Sequence, residues 1–305
     1  MDMHDGTMAV VTKGSPTDTV GSGGNEGHGA RRRTGAAMRL FWQLLAVVAV
    51  AIIGRTISAA VGDSPWLALS AGLATGAASI AVYRWVVRRT ERRSPVEVTL
   101  EGATPSVAWS TVLGVVLFGA VIAIIAVSGY YVVNGLGTPA GAVGLLGFMA
   151  GAAVTEELVF RGILFRIVEE RTGTWISLVL IGLLFGLLHL LNPSATLVGA
   201  LAIAIEAGGM LTAAYIATRK LWVPIGLHFG WNFAASAIFS TTVSGSNTPQ
   251  GLLDATMSGP ALVTGGGFGP EGSLYAVAFG VLATGAFMWL AYRRGHVIPA
   301  RRSAR

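Results

Sequence analysis

Eight ionisable side chains fall inside long apolar runs of this chain: Arg55, Glu156, Glu157, Arg161, Arg166, His189, Glu206 and His228. A charge at the centre of a membrane helix costs at least ~2.5 kcal/mol, so each of them needs a partner or a function. Five of them sit in three short motifs. In Glu156-Glu157-Leu158-Val159-Phe160-Arg161, Glu157 and Arg161 are four apart on one helix face and can pair, whereas Glu156 points about 100° away. One carboxylate can thus be structural while its neighbour is free for acid–base chemistry, although two buried ion pairs would satisfy the same pattern. In Phe185-Gly186-Leu187-Leu188-His189 a single imidazole ends an apolar run. In His228-Phe229-Gly230-Trp231-Asn232 an imidazole and an amide share one helix face one turn apart, a pair able to bind a metal, donate to an oxyanion or cross-link helices.

The elements that position these groups follow from composition. Of the 305 residues 53% are hydrophobic and 12% charged, and the mean hydropathy is +0.65. A chain this apolar satisfies its backbone in lipid only as helices or a closed barrel, and unbroken apolar runs exclude the alternating barrel pattern. The expected class is an all-α, multi-pass bundle of about eight helices in the cell membrane. The predicted spans are Leu40 to Val61, Trp66 to Val87, Val107 to Val133, Ala142 to Val168, Trp175 to Leu191, Ala195 to Thr218, Trp222 to Thr242 and Ser273 to Tyr292. The turns after the second, fourth, sixth and eighth spans carry Arg or Lys and the others carry none, which predicts that both termini are cytoplasmic.

Residues 1–37, rich in Gly, Ser, Thr and Asp, are expected to be a disordered cytoplasmic tail, residues 38–293 the transmembrane domain, and residues 294–305 a short basic cytoplasmic tail. A pI near 10.2 would suit a nucleic-acid binder, but the basic residues cluster at the ends of apolar runs, so lipid and not nucleic acid is the expected partner. With no cysteine, thiol nucleophiles and thiolate metal sites are excluded. Counted at ~1.5 Å per residue from the basic helix ends, Glu156, His189, Asn232 and His228 lie about 18, 21, 15 and 9 Å deep, close enough for one cavity.

Together the motifs resemble the CPBP family, the CAAX prenyl proteases and bacteriocin-processing enzymes also called Abi proteins. EExxxR is met by Glu156, Glu157 and Arg161, FxxxH by Phe185 and His189, and HxxxN by His228 and Asn232, over about residues 141–235. The resemblance implies a helical membrane endopeptidase acting on a membrane-associated or lipidated peptide or protein. On that reading Glu156 is the general base on a water also held by His189, and His228 and Asn232 donate to the oxyanion. Glu157, Arg161 and Phe185 orient them. No metal or other cofactor is favoured, because no HExxH helix is present. The metal alternative is zinc on Glu156, His189 and His228. Two other readings compete: a non-catalytic membrane scaffold or immunity protein, and a proton-relay transporter using Glu156, Glu206 and the histidines. Glu206 lies outside the motifs, and Arg166 or the cavity is its expected neighbour.

Overall fold

The computed structural model describes residues 24–61, 64–247 and 251–300, with side chains from residue 35 onward. Two units separate, Met1–Ala37 and Met38–Arg305. The tail expected over residues 1–37 lies outside the described residues up to residue 23. From Gly24 the described backbone is helical.

The architecture is an all-α bundle. Seven described helices are long and apolar enough to cross a membrane, and an eighth lies buried among them. In chain order they are α1 (Gly24–Ala60), α2 (Pro65–Glu91), α3 (Ala103–Val127), α4 (Pro139–Thr172), α5 (Thr174–Leu191), α6 (Leu197–Thr218), α7 (222–238) and α8 (Leu274–Arg293). Helix α7 is too short for a full lipid crossing, yet nine of the twelve residues Trp222–Phe233 are buried, so protein and not lipid surrounds it.

Small residues set the helix spacing. A methyl group added to Gly72 on α2 would lie 2.0 Å from the Gly147 carbonyl oxygen on α4, and one added to Gly230 on α7 would lie 2.1 Å from the Thr111 oxygen on α3. These backbones touch, as close packing in lipid requires. Among the described residues three π-helical stretches interrupt the α-helices: Leu158–Phe165 in α4, Ala204–Gly209 in α6 and Ala234–Ile238 in α7. Such wide turns recur at functional sites, and the first begins directly after the paired glutamates.

One expectation needs correction. The third span, predicted to reach Val133, ends at Val127, because Gly129 turns at φ +80° and the β-branched residues beyond it form a strand. This β1 (Tyr131–Leu136) pairs antiparallel with β2 (Leu253–Met257) from the long connection after α7, with Tyr131 opposite Met257 and Leu136 opposite Leu253. The pairing satisfies backbone that no helix covers. The C-terminal tail, for its described residues 294–300, is tied down: the Arg219 guanidinium donates to the His296 carbonyl, and Thr174 and Ile298 exchange hydrogen bonds.

Candidate active site

The adjacent glutamates of α4 diverge as their helix angle requires. Glu157 is fully buried, and its Oε1 accepts from Arg161 Nη1 at 2.7 Å. The same oxygen lies 2.9 Å from His228 Nδ1 on α7. Arg161, also fully buried, donates further to Thr212 Oγ1 at 3.2 Å and to the Ala207 carbonyl at 3.2 Å, and lies 4.7 Å over the Phe185 ring. These contacts lock α4, α5, α6 and α7 together around one guanidinium.

Glu156 faces the other way. Its side chain is 36% exposed and lines a cavity of about 490 Å³ together with His189, Asn232, Thr155, Asn192 and Arg55. His228 Nε2 approaches Glu156 Oε2 to 3.9 Å from behind. His189 caps the α-helical part of α5, with Nδ1 2.7 Å from the Phe185 carbonyl oxygen, which leaves Nε2 for the cavity. The Phe185 ring lies between the two imidazoles, at 4.8 Å from His189 and 6.2 Å from His228. Thus the structure brings Glu156, His189 and Asn232 to one cavity wall, with Glu157, Arg161, Phe185 and His228 packed behind them.

The model of the Rce1-like family, type II CAAX prenyl endopeptidases, matches residues 138–234. This match over residues 138–234 supports a CPBP-family intramembrane protease. Comparison with curated proteins and with solved structures gave no match. The matched segment runs from α4 into α7 and so contains every residue of the three motifs, while α1 to α3 and α8 lie outside it.

As a zinc site the donors do not converge: among the described residues no three His, Asp or Glu side chains are grouped to hold a metal ion.

Three residues around the cavity escaped the motif reading. Buried Glu271, from the connection before α8, accepts from Trp231 Nε1 at 3.0 Å and from the Ser244 hydroxyl at 2.9 Å and amide. Asn192 donates to the Ser244 carbonyl at 2.7 Å. Together these bonds fasten the loop 243–247, part of the cavity wall, to α5 and α7. Burial pushes the Glu271 carboxyl up, against the Ser244 hydrogen bonds, nearby His189 and the Trp231 bond, which pull it down. A lone acid in a Gly-rich stretch was the available signal.

Arg166 and Glu206 do not meet. Arg166 pairs with Glu91 at 2.5 and 2.9 Å. Glu206 is buried in the π-helical turn of α6 against Gly280, with no side chain among the described residues donating to it; the Glu271 carboxyl and the Ala207 amide are its electrostatic neighbours.

Proposed function

We propose that this protein hydrolyses peptide bonds of membrane-associated substrates, with Glu156 as general base on a water. Carrying the reading is the divergence of the two glutamates: Glu157 is consumed by Arg161 and His228, and Glu156 reaches the cavity beside His189 and Asn232.

The residues suit four tasks. Glu156 takes a proton from water held between its carboxylate and His189 Nε2, and the hydroxide oxygen attacks the scissile carbonyl carbon. The carbonyl oxygen becomes an oxyanion, to which the Asn232 amide donates. When the C–N bond breaks, Glu156 returns its proton to the leaving nitrogen, giving an amine and a carboxylate. Preorganised donors of this kind supply about 3 kcal/mol each, and a positioned base ~10²- to 10⁴-fold in rate.

The Glu157–His228 contact refines the role of His228. Glu157 is bound to Arg161 and acts as an acceptor, so Nδ1 of His228 carries a proton. Nε2 then donates only when the ring is doubly protonated; singly protonated, it accepts. A second oxyanion donor at His228 therefore requires the imidazolium form and a movement into the cavity, whose wall it stands behind.

Membrane proteomics of cells expressing wild type, Glu156→Gln, His189→Ala and Asn232→Ala tests the proposal. Cleavage products are expected to fall at least ~100-fold in Glu156→Gln while the protein accumulates normally. Products unchanged in all three variants would overturn it. Metal analysis of the purified protein, with activity measured after chelation, separates the zinc version, for which activity is lost with the metal.

A further inference from the structure

The cavity and the basic residues lie at opposite ends of the bundle. Its walls come from the later turns of α1 at Ala51 to Ser58, the last turn of α5 at His189, Asn192 beyond it, and the loop 243–247. Helix α1 then ends at Ala60, and α2 starts at Pro65. The connections at this end are therefore 61–64, 128–138, 192–196 and 239–273, and none of them contains Arg or Lys.

At the other end stand Arg39, Arg84 to Arg93, Arg166, Arg171, Arg219, Lys220, Arg293 and Arg294. Acidic partners tie many of these down, as in Arg39–Glu170, Arg166–Glu91 and Arg219–Glu169, so the basic end is also the closed end. Two described cations remain. Arg161 is enclosed by Glu157, and Arg55 is exposed at the cavity wall with no acidic partner among the described residues.

Short connections rich in Arg and Lys stay in the cytoplasm. We infer that the cavity opens on the non-cytoplasmic face, so its substrates are peptide segments exposed on that side and not chain ends presented in the cytoplasm. What enters rests on the peptidase reading; the sidedness does not. Loop 243–247, fastened through Glu271 and Asn192, forms the rim past which such a segment passes.

Because the chain has no cysteine, a single introduced thiol reports its side without background. Asn247→Cys and Leu136→Cys mark the cavity end, Ser94→Cys and Arg171→Cys the basic end, two positions at each in case one variant fails to accumulate. A membrane-impermeant maleimide is expected to label the first pair on intact cells and the second only after permeabilisation; the reverse pattern overturns the inference. Labelling Asn247→Cys with a bulky maleimide from outside is expected to reduce cleavage products at least tenfold. Undiminished products after complete labelling overturn entry from this face. If Glu156→Gln also leaves products unchanged, the peptidase reading falls while the labelling pattern still decides the side.

Discussion

At the scale of single residues, Arg161 carries the site without facing it. Its guanidinium is wholly buried, bonded to Glu157, Thr212 and the Ala207 carbonyl, so Arg161→Met strands Glu157 as a buried charge beside His228. Breaking one side of such a pair costs about 3–5 kcal/mol. Thermal unfolding in detergent should show this loss for Arg161→Met and recover much of it in Arg161→Met with Glu157→Gln. Cleavage should not recover, because His228 has lost its carboxylate acceptor; full recovery of cleavage would make the triad a packing device alone. Glu206 gives the opposite case. No side chain among the described residues donates to this buried carboxyl group, and replacing an unpaired buried polar group by an apolar one of similar shape removes its desolvation penalty of about 1–3 kcal/mol. Glu206→Met is expected to raise the unfolding temperature and, since Glu206 does not line the cavity, to leave cleavage intact. A proton relay through Glu206 would instead lose its function in this variant.

At the scale of elements, helix α7 of the candidate site is positioned by contacts its own motif contains. Gly230 lies between His228 and Asn232 and touches the Thr111 backbone of α3, while Gly226 meets Ser110 and Val107 one turn earlier. Gly230→Ala places a carbon 2.1 Å from the Thr111 oxygen, an atom that cannot rotate away. The helices must separate, and a shift near 1 Å at catalytic groups can cost about 100-fold in rate. Cleavage by Gly230→Ala should fall by that order although no chemical group has been removed; wild-type rates would show that α3 yields. This is also where reading from sequence stops. The Glu157–Arg161 pair was legible because helix geometry alone fixes four-residue neighbours, and span positions followed from apolar length. That His228 would close on Glu157 was not, since it depends on how α4 and α7 pack across a sequence separation of 71. Nor was the role of Glu271, whose partners Trp231 and Ser244 are joined only by tertiary structure. The third span ran long on paper because Val132 and Val133 are as apolar in a strand as in a helix.

At the scale of the whole molecule, one end of the bundle is closed by ion pairs and the other is open to a cavity. The segment between α2 and α3 belongs to the closed end: Arg93 donates to both oxygens of Glu97, Tyr83 donates to Glu97, and Lys220 and Trp222 bind the backbone at Val96 and Thr99. It fastens α2 to α7 and contributes nothing to the cavity wall. Burial alone would raise the Glu97 carboxyl, but the hydrogen bonds from Arg93 and Tyr83 outweigh it and hold the group below its ordinary value of 4.5. A carboxyl lowered on folding adds stability above its unfolded pKa and loses it as pH falls through the folded one. The closed end should therefore stay shut through the usual carboxylate range and loosen only at more acidic pH. Hydrogen exchange in lipid nanodiscs reads this directly: amides of 96–99 should remain protected as pH is stepped from 7 to about 4.5 and open below it. In Glu97→Gln the same amides should exchange rapidly already at pH 7, whereas those around the loop 243–247 at the open end keep their wild-type protection. Equal loss at both ends would mean that the two halves of the bundle open as one.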